Sequence, residues 1–223
     1  MSHLTLIGLS PVSASIGLAL KRAGLKTEIV GTDRDRAGTH AAEKMGAIDR
    51  ATRNLRSAVE GADMIVLDLP MSETEEILEA IGPILENGCV VTDTGTTKAQ
   101  VIEWGTTHLR PDASFVGGHP LIKRQVTTMA EADASLFDKT EYCVIPSEKA
   151  DAQAVKTVVG MVEALGARPL FLDAEEHDSY SAAMAQLPKV LSAVLINMLS
   201  SSPSWREVSR LAGPEFHQLS QLS

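Results

Sequence analysis

Aromatic residues are scarce in this chain: two Trp, two Tyr and four Phe make up 4% of its 223 residues. So few rings exclude a stacking platform for single-stranded nucleic acid. Basic residues are in deficit too, 20 Lys+Arg against 29 Asp+Glu, for a formal net charge of −9. A protein that tracks a phosphate backbone needs the opposite balance. Cysteine occurs only at Cys89 and Cys143, too few for a disulfide framework or a zinc site. No unbroken apolar run approaches the ~20 residues that span a bilayer. Met1-Ser2-His3 runs directly into Leu4-Thr5-Leu6-Ile7 with no basic stretch or cleavage pattern, so no signal peptide is expected. What is present, 44% hydrophobic residues, suffices for a sizeable core. The expectation is a cytoplasmic globular protein that acts on a small molecule, with no nucleic-acid and no membrane partner.

Short apolar runs alternate with helical patterns. Residues 4–8 form an apolar run that stops at Gly8, as a buried strand does. Residues 12–23 follow with Val12, Ile16, Leu18, Ala19 and Leu20, then Lys21-Arg22 and Gly24, a helix stop. Residues 27–33 make a second strand, which completes a βαβ unit. Further strands are expected at 64–69, 89–92, 114–116, 142–145 and 169–172, with helices from about Thr97 and over 150–166. Ser72 and Glu75 have capping-box spacing ahead of Ile77, Leu78 and Ile81. The pattern predicts an α/β fold: a Rossmann-like, doubly wound, mostly parallel sheet over 1–172. A short helical segment over 173–223 then carries Leu187, Val190, Leu191, Val194 and Leu195 at helical spacing. Pro188 should interrupt that helix. A segment of about 50 residues is small for a core of its own, so its apolar stripe is expected to pack in a homodimer.

The first strand-to-helix turn, Gly8-Leu9-Ser10-Pro11-Val12-Ser13, sits where a dinucleotide fold keeps glycines so that backbone amides can approach a pyrophosphate. Only the first glycine is present; serines take the other two positions. An ordinary α/β turn and a nucleotide-binding turn both fit. Asp33, roughly twenty residues beyond Ser13 at the end of the second strand, is placed to bond a ribose hydroxyl and favours the nucleotide. Arg34 and Arg36 nearby leave NAD and NADP both open. Glu176, His177 and Asp178 read as the polar start of a helix, and Asp93 as a structural acid at a strand end.

The ordered set of motifs resembles the prephenate and arogenate dehydrogenase family. The segments that carry it are the first turn through Ser15, Ala62-Asp63-Met64-Ile65-Val66-Leu67 with Pro70, Thr92-Asp93-Thr94-Gly95-Thr96-Thr97-Lys98, Gly117-Gly118-His119-Pro120, Leu136-Phe137, and Glu175-Glu176-His177-Asp178. The resemblance implies a nicotinamide cofactor, NAD or NADP, and no metal. It implies cofactor contacts at Gly8, Leu9, Ser10, Val12 and Ser13, at Asp33 and Arg34, and at Leu69, Pro70 and Gly95. It also implies His119 as the base that takes a hydroxyl proton and Thr96, where the family has serine, as its hydroxyl partner. A histidine suits that role because its ordinary pKa lies near working pH. The small-molecule substrate would be a cyclohexadienol bearing a ring carboxylate, oxidised with loss of carbon dioxide in tyrosine biosynthesis.

Several positions depart from the family. Besides the two loop serines, Asp68 replaces a small apolar residue of the fourth strand, where an added carboxylate repels phosphate unless it is neutralised or turned away. Leu121-Ile122-Lys123-Arg124-Gln125 replaces small residues and an acid, and Gln186-Leu187-Pro188-Lys189 replaces a histidine-rich segment. With the chain ending at Ser223, a shortened helical domain is expected. In one reading Lys123, Arg124, Gln186 and Lys189 hold the substrate carboxylate of a working dehydrogenase. In another the fold persists as a binding or regulatory module, and a third is a dehydrogenase of another hydroxy acid.

Overall fold

Apolar runs bounded by glycine or proline become the central strands. In the computed structural model, which describes residues 2–220, β1 (Ser2–Ile7), β2 (Thr27–Thr32), β3 (Arg50–Ala51), β4 (Met64–Leu67), β5 (Val90–Asp93), β6 (Ser114–Pro120), β7 (Glu141–Pro146) and β8 (Arg168–Phe171) share one sheet. Their order is β3-β2-β1-β4-β5-β6-β7-β8. Neighbours from β3 to β6 pair in parallel, β6 and β7 pair antiparallel, and β8 is parallel to β7. The mostly parallel, Rossmann-like sheet inferred from the alternation is therefore present.

Both faces of the sheet are covered, and β4 shows why its sequence is apolar throughout. Met64 and Val66 pack into one buried cluster, with Ile16, Leu20 and Val158. Ile65 and Leu67 point the other way, into a second cluster with Leu78, Ile81 and Val101. The first cluster draws on α1 (Pro11–Arg22) and α6 (Ala152–Ala164), the second on α4 (Met71–Ile81) and α5 (Ala99–His108). Each such fully buried side chain contributes roughly 1.5–3 kcal/mol.

Several local readings need correction. Between β2 and β4 the structure has α2 (Arg36–Lys44), β3 and α3 (Leu55–Val59), none of which the sequence pattern announced. The α2 helix starts because the Asp35 carboxylate accepts from the amides of Ala37 and Gly38 at 3.0 and 2.9 Å. The expected Ser72–Glu75 capping box does not form. Pro70 takes the cap position of α4 with no side-chain bond, its fixed φ of −56° already suiting a helix start one residue before Ser72. Gly117-Gly118-His119-Pro120 continues β6 as extended strand instead of leaving it.

The chain divides into two compact units, Met1–Glu175 and Glu176–Ser223. Helix α7 (Ala174–Ser181) begins two residues before the second unit, and a π-helical turn (Ala182–Gln186) and α8 (Leu187–Ser200) follow it without a break. Pro188 lies in the first turn of α8, so the irregularity expected at the proline falls in the wider turn just before it. That turn contains Met184, four residues earlier, whose carbonyl a proline ring would meet in a regular helix. The continuous helix, Ala174–Ser200, is long and apolar enough to cross a membrane by length and composition. It contains no unbroken apolar run of that length because polar residues such as Ser192 and Asn197 punctuate it. Beyond it lie α9 (Trp205–Val208) and α10 (Pro214–Ser220), where the Trp205 and Phe216 rings stand 6.1 Å apart and Ser192 Oγ donates to the Leu219 carbonyl.

Candidate functional site

Strand order reverses between β1 and β4, and open α/β sheets bind ligands at such a switch point, beyond the carboxyl ends of the strands. A cleft of 860 Å³ opens there. Gly8, Leu9 and Ser10 after β1, Asp33 and Arg34 after β2, and Asp68, Leu69 and Pro70 after β4 line it. Gly8 has φ +86°, and a Cβ on it would lie 2.1 Å from the Asp68 carbonyl oxygen, so only glycine lets these two loops approach. Val12 and Ser13 lie in the first turn of α1, half-buried and buried, and are not among the residues lining the cleft.

The loop is closed on itself. The Leu9 amide donates to Asp33 Oδ2 at 2.6 Å, the Ser10 amide to Ser13 Oγ at 3.0 Å, and the Val12 amide to Ser10 Oγ at 2.9 Å. The Ser13 amide donates to Asp68 Oδ2 at 3.0 Å, as does Ser10 Oγ, and the Ala14 amide to the Ser10 carbonyl at 3.0 Å. The second oxygen of Asp68 accepts from Thr94 Oγ1 at 2.6 Å. The loop serines thus do more than replace glycines: they supply the cap and knit the turn. Asp68, read as a carboxylate in the way of phosphate, sits against the helix start, and Thr94, which the sequence reading left without a role, holds it there.

Asp33 stands at the end of β2 as expected, its second oxygen accepting the Asp35 amide at 2.6 Å. Each carboxylate oxygen has further acceptor capacity, so a ribose contact is compatible with both bonds. Arg34 Nη1 lies 3.4 Å from Glu73 Oε2 and Nη2 lies 3.3 Å from Glu76 Oε1, on the exposed side. It is already engaged by acids and does not stand as a lone cation awaiting a 2′-phosphate.

Next to the cleft, and sharing Asp68, Leu69 and Pro70 with it, a hollow of 240 Å³ contains Gly95 and Thr96. Both follow β5, whose last residue, Asp93, is buried and accepts from three groups through its carboxylate. Lys98 Nζ donates to Asp93 Oδ2 and, at 2.8 Å, to the Gly118 carbonyl. The amides of Gly95 and Gly118 donate to Oδ2 and Oδ1 of Asp93, each at 3.0 Å. Lys98 is 0% and Asp93 3% exposed. One buried ion pair therefore ties the Gly95-Thr96 loop to the strand residue that precedes His119. A Cβ on Gly118 would fall 2.4 Å from the Asp93 carbonyl oxygen, which explains the second glycine of the tetrapeptide. His119 pairs in register with Cys143 on β7, half-buried at the carboxyl end of β6. Burial pushes the Cys143 thiol up, partly offset by Lys98, so no thiolate forms opposite the imidazole. Burial, with Asp93 adding to it, also pushes the Tyr142 hydroxyl up, and its oxygen donates to the Asp93 carbonyl at 3.4 Å.

The carboxylate-binding candidates are scattered. Lys123 and Arg124 are exposed in the loop after β6, and Arg124 Nη2 approaches the Glu131 carbonyl and Asp133 at 3.3 and 3.5 Å. Gln186 and Lys189 belong to the second unit, exposed on its long helix. His177, also in that unit, is buried with Nδ1 2.8 Å from Asp178 Oδ1, and as the fourth residue of α7 it lies past the cap position. Asp93 is the structural acid at a strand end that the sequence suggested, whereas its pairing with Lys98, which ties it to the residue before His119, was missed. The available signal was an acid ending an apolar strand, five residues before a lysine in a loop otherwise of glycine and threonine.

The profile of the family described as prephenate dehydrogenase, nucleotide-binding domain, matches residues 16–170. Over 222 residues the chain is 28% identical to a protein named prephenate dehydrogenase from Bacillus subtilis (strain 168), spanning 99% of this chain and 60% of that protein. A prephenate dehydrogenase of Lactococcus lactis subsp. cremoris is 31% identical over 198 residues, 88% of this chain and 53% of that one. The chain thus spans between half and two thirds of the length of these two relatives. The crystal structure of a prephenate dehydrogenase from A. aeolicus, in complex with hydroxyphenyl propionate and NAD+, shares the fold with a TM-score of 0.92 at 24% identity, covering 100% of this chain and 78% of that one.

Proposed function

The chain belongs to the prephenate dehydrogenase family, and we propose that it works as an NAD(P)-dependent dehydrogenase that oxidatively decarboxylates prephenate or arogenate, a step of tyrosine biosynthesis. The observation that carries the reading is the cleft at the switch point, with the Gly8 loop on one wall, Asp33 at the end of β2, and the Thr96 hollow adjoining it. The residues present fit a dinucleotide at its ribose end, through Asp33, and in the volume of the cleft. At the pyrophosphate end they fit only once Asp68 turns away. A bound nicotinamide would supply the acceptor for the hydride that leaves the substrate's carbinol carbon. His119 takes the proton of the same hydroxyl, Thr96 orients that hydroxyl, and the electron pair of the departing carboxylate aromatises the ring. Lys123 and Arg124 are the cations of this unit assigned to a substrate carboxylate. The protein is read as a cytoplasmic homodimer without nucleic-acid or membrane partners.

The test is NADH or NADPH formation, followed by absorbance, with prephenate and with arogenate. His119→Asn should lower turnover ~10²–10⁴-fold with cofactor affinity nearly intact, since a general base contributes about that much. Thr96→Val should cost less, because one hydrogen bond is lost and no proton transfer. Lys123→Ala should raise KM. Absence of turnover with prephenate, arogenate and simple hydroxy acids favours the second reading, a binding module. The observation on that side is the loop whose amides are all engaged within the chain.

A further inference from the structure

We infer that the carboxylate of Asp68 is a built-in occupant of the phosphate seat, which a dinucleotide must displace before its pyrophosphate reaches α1. The inference rests on the nucleotide reading and concerns how that site admits its ligand. A helix start attracts one anion through its unpaired amides and the positive end of its dipole. Here the donors converging on the seat, the Ser13 amide and Ser10 Oγ, both point at Asp68 Oδ2. The remaining amides from Gly8 to Ala14 that can donate all have acceptors within the chain. Thr94 Oγ1 holds the other Asp68 oxygen at 2.6 Å and keeps the side chain turned to the helix.

A phosphate arriving at this loop finds no donor unless Asp68 moves, and while Asp68 stays, two anions share one seat in a partly dry cleft. The surroundings offset this charge only in part. Asp33, Asp35, Glu73 and Glu76 also line the cleft, against two arginines: Arg34, engaged by Glu73 and Glu76, and Arg53. Discrimination therefore falls on the pyrophosphate and not on adenosine, whose ribose end meets Asp33.

The experiment is titration calorimetry of NAD+ and, separately, ligand-observed NMR of adenosine, on the parent, Asp68→Asn and Asp68→Ala, each first checked for cooperative thermal unfolding. Asparagine removes the charge and keeps an acceptor for the Ser13 amide, so it serves even where alanine disturbs the fold. Both variants should bind NAD+ about tenfold or more tightly than the parent, the scale of one charge-assisted contact, while adenosine affinity stays level. NAD+ affinity unchanged or weaker in the folded variants overturns the inference and leaves the nucleotide reading standing. Adenosine tightening by the same factor also overturns it, since the effect would then not lie at the phosphate. Failure of NAD+, of NADP+ titrated alongside it, and of adenosine to bind any form overturns the nucleotide reading and this inference together.

Discussion

Lys98 and Asp93 tie the loop after β5 to Gly118, the residue before His119. A buried ion pair adds little net stability over an apolar pair of similar shape, yet losing one partner leaves a buried charge uncompensated. Lys98→Met should therefore destabilise the fold by about 3–5 kcal/mol in urea denaturation, and Lys98→Met combined with Asp93→Asn should recover a large part of that loss. A single variant as stable as the parent would show that the pair does not carry the junction of β5 and β6. The loop serines pull in two directions. Their Cβ and Oγ atoms crowd the approach of a pyrophosphate, but Ser10 Oγ caps α1 and Ser13 Oγ accepts the Ser10 amide. Ser10→Gly with Ser13→Gly should bind NAD+ more tightly and lower the melting temperature, since glycine is a weaker cap than serine by a few tenths of a kcal/mol. Unchanged or weaker NAD+ affinity would show that the serines are not what limits it.

Among the elements, the turn before β7 carries a legible electrostatic signature. The Oε2 atom of Glu131 accepts from the amides of Thr127 and Thr128 at 2.9 and 2.8 Å and from both hydroxyls, closing a capping box over Met129–Glu131. These bonds, the Thr127 amide first, hold its carboxyl at about 2. The folded value lies below the ordinary value of about 4.3, so the turn's support is complete above that pH and is lost as the pH falls through the folded value. A carboxyl-carbon NMR titration of Glu131 should show its midpoint near 2, and Glu131→Gln should abolish the transition. A midpoint at the ordinary glutamate value would mean that the box is open in solution. The elements readable in the sequence were those whose burial leaves a local mark. Val66 and its neighbours are apolar because both faces of β4 are covered, and Lys21-Arg22 before Gly24 ends α1 visibly. The unread elements lack such a mark. Strand β3 is two residues long, α2 contains a glycine and buries only Ala42, and α3 is five residues. The expected strand stopped at residue 116, before Gly117 and Gly118, because glycine weakens a strand, whereas here the lack of a Cβ on Gly118 admits the Asp93 carbonyl. Among the candidate site residues, Asp33, Thr96 and His119 were proposed from motif and position. The bonds of Asp68 to Ser13 and Thr94 could not be, since they join residues 55 and 26 apart in the chain.

At the scale of the whole molecule, the second unit has more apolar surface than a segment of its size can cover alone. Leu187, Val190, Leu191, Val194 and Met198 are 52–69% exposed along one helix. A contiguous patch of this kind on a water-exposed helix marks a partner surface. Cyclic dimers are the commonest homo-oligomers, and a two-fold interface lets the same stripe meet its own copy. The expected state at micromolar concentration is thus a dimer, measured by multi-angle light scattering. Leu191→Asp with Val194→Asp should convert it to monomer without changing the near-ultraviolet signal of the first unit, since two carboxylates in an apolar seam are costly to desolvate. The length and composition of Ala174–Ser200 also suit a lipid environment, and the same variants separate the two cases. Recovery of the parent in a membrane fraction, or stable dispersion only in detergent, would assign the stripe to lipid. A monomer in buffer without either behaviour would overturn the dimer.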